Sequence, residues 1–173
     1  MSDLYQSNRK LVETYRQKLQ QKIVSLHQAE QSSNNIDPQK FYLGFKNRAI
    51  ELVQKETALL QKECGKSDNC HLLLLKQTAL VDTLVQASFY SAVWYFNHQN
   101  NQEWTTQSVP IAIVARGGYG REEMYFRSDV DIEIVSESSV SESDKNSAEQ
   151  IIRHFEYLFI FQDIFPATIN ACY

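Results

Sequence analysis

An α+β protein is predicted, with an N-terminal helical segment followed by a small mixed sheet flanked by helices. Three observations carry this. Residues 1–108 hold long stretches of helical periodicity with almost no glycine or proline, the sequence changes character at Val109, and the next 65 residues read strand, glycine loop, strand, helix, strand. At 173 residues, 43% apolar and 12% aromatic, the chain is large enough for one core or a small core with an appendage. The division expected is a helical region over 1–108 and a second, incomplete unit over 109–173.

The first helix, about 3–30, places Leu4, Leu11, Tyr15, Leu19, Ile23 and Leu26 on one stripe with Lys, Arg and Gln between them. A polar run over 31–35 ends it. Asp37-Pro38 then reads as a cap followed by proline in the first turn, opening a helix to about residue 63 with Phe41, Phe45, Ala49, Leu52 and Leu59 inward. Gly65 breaks it. A third, more apolar helix covers about 71–96, with Leu73, Leu80, Leu84 and Ala87 in register. Three helices with short links suggest an antiparallel bundle, and nothing in them is chemical on its face. A polar loop over 97–108 follows.

Residues 109–115 are β-branched and apolar and read as a strand buried on both faces. Gly117-Gly118-Tyr119-Gly120 interrupts the chain, 122–127 is a short connector of about one helical turn, and 130–135 is a second strand. A serine- and acid-rich loop over 136–147 ends at Ser147, a candidate N-cap. The helix expected over 148–164 has Ile151, Phe155, Leu158 and Gln162 near one line. A third strand is expected over 167–173, after Pro166.

Charge is unevenly spread. Residues 1–108 carry twelve Lys and Arg against ten Asp and Glu, whereas 109–173 carry five against eleven. So acidic a segment repels a phosphate backbone, and stable nucleic-acid binding is not expected. Cys64, Cys70 and Cys172 form no disulfide framework, which suggests a reduced, cytoplasmic protein. The Cys64, Cys70 and His71 group lacks a second close-spaced pair for zinc. No apolar stretch approaches transmembrane length, and the first ten residues lack a signal-peptide core.

Chemistry concentrates at the second strand. Side chains alternate faces with period two, so Asp129, Asp131 and Glu133 share one face and Val130, Ile132 and Ile134 the other. Adjacent like charges on a strand face are destabilising unless something positive sits there. Hard oxygen donors suit Mg2+ or Mn2+, with substrate phosphates completing the shell. The alternative is a solvated acidic strand at a sheet edge. Gly117 and Gly118 tilt the reading towards a ligand, because glycine lets backbone amides approach phosphate oxygens closely.

Taken together, Gly117-Gly118-Tyr119-Gly120-Arg121, Glu123 and Ser128-Asp129-Val130-Asp131-Ile132 resemble the signature of bacterial PII-protein uridylyltransferases. A looser version occurs in glutamine-synthetase adenylyltransferases, and both belong to the DNA polymerase β-like nucleotidyltransferases. Thr78-Ala79-Leu80-Val81-Asp82 resembles the segment ahead of that core. The resemblance is sharp over 109–135, weaker over 71–173 and absent before 70.

It implies a partial polymerase β-like core, with Gly117 and Gly118 on the triphosphate of UTP or ATP and Asp129 and Asp131 on the metals. Arg121 and Glu123 would brace the loop, as an ion pair or a plain surface pair. Ser128 would orient the Asp129 loop or be an ordinary turn serine. The implied acceptor is a hydroxyl on a small protein of the PII type, in nitrogen regulation.

Four positions depart from the pattern. Glu122 stands where these enzymes usually have glycine, Phe126-Arg127 replaces a Pro-aromatic pair, and Glu133 replaces an apolar residue. The last strand also lacks a carboxylate. Glu133 would therefore be a third metal-site acid, or else pair with Arg116 or Arg153 at the rim. The chain is far shorter than a full uridylyltransferase, so it is expected to be a fragment or a short relative. Two functions remain open: a metal-dependent nucleotidyltransferase, or an inactive relative that senses nucleotide or docks a partner.

Overall fold

The computed structural model describes residues 3–31, 37–66, 68–137, 139–158 and 167–172, with residues 3, 26–31 and 167–172 as backbone alone. Among the described residues, the elements run in the order α1 (Asp3–Gln31), α2 (Pro38–Cys64), α3 (Cys70–Asn100), β1 (Ile111–Ala115), α4 (Gly117–Gly120), β2 (Val130–Ser136), α5 (Glu142–Leu158) and β3 (Ala167–Cys172). The α+β class holds.

The local signals explain most boundaries. Asp37 caps α2 by accepting from the Gln39 N–H at 2.9 Å, with Pro38 at the first position. Asn69 caps α3 through Leu72 N–H. Helix α3 runs four residues beyond its expected end. It stops where Asn101 turns left-handed, while the Asn97 side chain bonds both N–H and C=O of Trp104. Helix α5 begins at Glu142 rather than 148. Ser141, not Ser147, accepts the first-turn N–H of Asp144 at 3.2 Å, and Ser147 lies inside the helix bonded to the Ser143 carbonyl. Ile151, Phe155 and Leu158 are buried as expected, and Gln162 lies outside the described residues.

Helix α3 is the centre of the molecule and packs against α1, α2 and α5. Its expected stripe of Leu73, Leu80, Leu84 and Ala87 is buried. The other two stripes rotate. In α1, Leu4 and Leu11 are 64% and 50% exposed, and the buried line is Asn8, Val12, Leu19 and Ile23. Val12 meets Leu75 and Ala79 of α3, and Asn8 pairs with Asn69, so the partner helix chose the face. In α2 the line continues from Ala49 through Val53, Glu56 and Leu60, leaving Leu59 outside. Buried Glu56 is satisfied by Lys22 and by Tyr15 Oη at 3.2 Å.

The sheet order is β1-β2-β3. Strands β1 and β2 are antiparallel, with Ile113 opposite Ile134 and Ala115 opposite Ile132. Strand β3 runs parallel to β2, as the crossover containing α5 requires. Val130, Ile132 and Ile134 are fully buried in a cluster that also holds Leu80, Leu84, Ile151, Phe155 and Leu158. The other face carries Ala112, Val114, Asp131, Glu133 and Val135, all half-buried or exposed. Strand β1 is therefore covered on one face rather than two, since Ala112 and Val114 fall on the uncovered one. No helix among the described residues is long and apolar enough to cross a membrane.

Candidate functional site

The last hydrogen bond of the β1–β2 ladder sets the site. Arg116 N–H donates to the Asp131 carbonyl at 2.9 Å, so the residue after it, Gly117, turns directly against the start of β2. Gly117 is left-handed, with φ +53°. A Cβ added there would lie 2.3 Å from Asp131 Oδ2, which means that the carboxylate rests on the bare glycine backbone. The Gly117–Gly120 quartet forms a single turn, closed by Gly120 N–H to the Arg116 carbonyl at 2.7 Å. Gly120 is also constrained, because a Cβ would sit 2.6 Å from the Ala115 carbonyl oxygen.

The helical turn thus falls on the glycines themselves and not on 122–127. The unusual backbone angle belongs to Gly117 and not to Gly118, whose added methyl would meet only an ordinary 3.7 Å contact.

Past the quartet, Glu122 N–H bonds the Tyr119 carbonyl at 3.0 Å and Glu123 N–H bonds the Gly118 carbonyl at 2.9 Å. Glu122 adopts φ +61°, a conformation rare for a residue with a long side chain. That is the position where the resembled family usually carries glycine. Arg121 and Glu123 do form an ion pair, at 2.9 Å on an exposed surface. Ser128 makes a turn: its hydroxyl accepts from Tyr125 N–H and its own N–H donates to the Tyr125 carbonyl, both at 3.1 Å. This matches the ordinary turn serine.

The three acids do not converge. Asp129 is exposed just before β2, and Asp131 is half-buried against Gly117. Glu133 is ion-paired with Arg116 across the strands, which is the rim arrangement rather than the metal-facing one. Arg153 pairs with Glu149 instead. Among the described residues, no three His, Cys, Asp or Glu side chains gather in a way that would cage a metal. Asp131 supplies a hard oxygen donor beside the glycine turn, and Asp129, two residues earlier in the chain, offers a second of the type that suits a magnesium-type ion sharing its shell with phosphate.

A cavity of about 370 Å³ opens beside the turn, between α3 and β1. It is lined by Asp82, Phe89, Ile113 and Tyr119 among others, and by neither Asp129 nor Asp131.

Five residues outside the expected set are linked at and beside the turn. Tyr119 is buried, and its hydroxyl donates to Asp82 Oδ1 at 2.8 Å. Burial, and secondarily the Asp82 charge, pushes that phenol well above its ordinary range. Asp82 Oδ2 accepts from Arg16 of α1 at 2.9 Å. About two helical turns earlier on α1, Arg9 grips Glu122 with both terminal guanidinium nitrogens, one at 2.8 Å. Those hydrogen bonds hold the Glu122 carboxyl below the usual glutamate range against an opposing effect of burial. Two signals for this network were present in the sequence: an acid, Asp82, inside the most apolar helix, and two arginines seven residues apart on α1.

No family model matches this chain, and no solved structure does. A bifunctional uridylyltransferase/uridylyl-removing enzyme from Zymomonas mobilis is 32% identical over 111 residues, covering 61% of this chain. The chain spans only 11% of that protein's length. Over the matched stretch the similarity suggests the uridylyltransferase family.

Proposed function

We propose that the chain carries part of a DNA polymerase β-like nucleotidyltransferase, which binds UTP or ATP with Mg2+ or Mn2+ and transfers the nucleotidyl group to a protein hydroxyl. The observation that carries this reading is the contact of the Asp131 carboxylate with left-handed Gly117. A glycine turn able to admit phosphate oxygens and a carboxylate able to hold their cation occupy one spot. The similarity to a uridylyltransferase supports the same chemistry.

In this reading Asp129 and Asp131 hold the metal, while the Gly117 and Gly118 backbone borders the triphosphate. The metal, when bound, neutralises the phosphates and lowers the barrier to displacement at the α-phosphorus. The acceptor oxygen forms a bond to that phosphorus, the bond to the pyrophosphate oxygen breaks, and the hydroxyl proton leaves to solvent. The acceptor would be a small partner protein.

One observation favours a second reading, an inactive relative that binds nucleotide without turnover. Glu133 is committed to Arg116, and no third acid joins Asp129 and Asp131 among the described residues. A thermal-shift panel of UTP, ATP, CTP and GTP with and without Mg2+, followed by a pyrophosphate-release assay, separates the two. Metal-dependent stabilisation with release supports the enzyme, and stabilisation without release in the presence of an acceptor supports the sensor. No stabilisation by any triphosphate sinks both.

A further inference from the structure

We infer that α1 is a positioning clamp for the glycine turn, with Arg9 acting through Glu122 and Arg16 through Asp82 and Tyr119. The effect on nucleotide rests on the function proposed above, whereas the effect on the turn does not.

Arg9 and Arg16 lie seven residues apart, about two helical turns, and so project from the same side of α1. Each reaches an acid that bears on the segment between β1 and β2. Arg9 takes Glu122 in a two-pronged grip, a geometry that fixes orientation as well as distance. Tyr5 Oη accepts from Arg9 Nε at 3.1 Å and helps to set the guanidinium plane. Arg16 takes Asp82 Oδ2, and the other oxygen of that carboxylate receives the Tyr119 hydroxyl. Tyr119 lies within the Gly117–Gly120 turn, and Glu122 is the residue that reverses the chain after it. Tyr119 within the turn, by way of Asp82, and Glu122 just after it are therefore both tied to a helix more than a hundred residues away in sequence.

The reason for such a tie lies in the backbone of Glu122. A left-handed angle costs a residue with a side chain more than it costs glycine. Without a partner, Glu122 would relax towards an ordinary angle. It would then release the Glu122 and Glu123 amides from the Tyr119 and Gly118 carbonyls. The ion pair with Arg9 opposes that relaxation. A glycine at this position would need no such partner.

The test is a cycle of four full-length proteins: wild type, Arg9→Ala, Glu122→Gly and the double variant. Each is followed by amide hydrogen exchange at residues 120, 122 and 123 and by titration with Mg–UTP and Mg–ATP. Arg9→Ala should speed exchange at 122 and 123 severalfold, up to about fivefold, with the helix amides unchanged. Glu122→Gly should stay near wild type, and adding Arg9→Ala to it should change nothing further. Triphosphate affinity should follow the same pattern. Equal acceleration by Arg9→Ala in both backgrounds, no acceleration in either, or acceleration spread over all helices would overturn the clamp. If the exchange pattern appears but no protein in the cycle binds a triphosphate, the clamp stands and the nucleotidyltransferase reading falls.

Discussion

The carboxylate of Asp131 lies against the α-carbon of Gly117, so close that a methyl group added to the glycine would meet Oδ2 at 2.3 Å. Two penalties coincide in Gly117→Ala. The φ of +53° strains any L side chain by about 1–2 kcal/mol, and the methyl must push Asp131 aside. The variant is expected to lose about 1–3 kcal/mol of stability and its metal-dependent triphosphate binding together. Gly118→Ala faces only a 3.7 Å contact, so its stability should change by less than about 0.5 kcal/mol. Denaturant melts of the two variants check this, and an inverted order would mean that the turn is built differently.

Asp129 and Asp131 contribute no buried apolar surface, so neutralising them should spare the fold. The double substitution Asp129→Asn and Asp131→Asn is expected to melt within a few degrees of wild type. It should lose the shift that Mg2+ with UTP or ATP produces in the parent. An unaltered nucleotide titration in this variant would remove both residues from the site.

Glu133 separates two ideas by the sign of a stability change. As a third metal ligand, its replacement by Gln would weaken metal binding and relieve repulsion in the metal-free protein. Its pairing with Arg116 predicts the reverse. Because the Arg116 side chain is 58% exposed, that pair contributes at most about 1 kcal/mol. Glu133→Gln should therefore lower the melting temperature slightly and leave the Mg2+ titration unchanged. A rise in melting temperature with weakened metal binding would restore the metal role.

Acid should loosen the tie between α1 and the glycine turn. Arg9 holds the Glu122 carboxyl below the ordinary glutamate range, so this pair stabilises the fold fully above a pH of about 4.3. The contribution is lost as pH falls through the lower, folded-state value. With the two side chains 41% and 35% exposed, the loss should stay under about 1 kcal/mol. Urea midpoints from pH 6 to pH 3 should fall less steeply for Glu122→Gln than for wild type. Parallel curves would show that Glu122 is not part of the acid response.

Much of the site was readable because its signals are local. Two apolar runs flanking a glycine quartet, with alternating acids on the second, place the turn and Asp131 on adjoining strands. Pairing of Arg116 N–H with the Asp131 carbonyl then follows from the register. Helix starts at Asp37-Pro38 were equally local.

What escaped depends on partners distant in sequence. The stripe of α1 fits two faces on periodicity alone, and only Leu75 and Ala79 of α3 decide that Val12, not Leu11, turns inward. Several serines precede α5, and each is a plausible cap until the helix docks on α3. Arg9 and Glu122 are 113 residues apart, with nothing near either to announce the other. The odd glutamate at 122 was visible as a departure from glycine. Its meaning came only with its φ of +61° and the arginine beside it.

Tyr119 offers a last test, because its ring and its hydroxyl do separate work. The ring is buried in the core between the glycine turn and α3, and Phe preserves it. The hydroxyl makes one bond, to Asp82, which Arg16 also neutralises. Tyr119→Phe should therefore cost only about 0.5–1.5 kcal/mol, the net contribution of a single hydrogen bond. Asp82→Ala should cost more, since it leaves the buried phenol without its acceptor and leaves Arg16 only the longer, more exposed pair with Glu13 at 3.5 Å. If the Tyr119 and Asp82 groups act as one unit, Asp82→Ala should add little to a protein already carrying Tyr119→Phe, beyond the loss of the Arg16 pair. A double-mutant cycle on denaturant midpoints measures this coupling. Strict additivity of the two substitutions would show that the 2.8 Å contact does not tie the turn to α3.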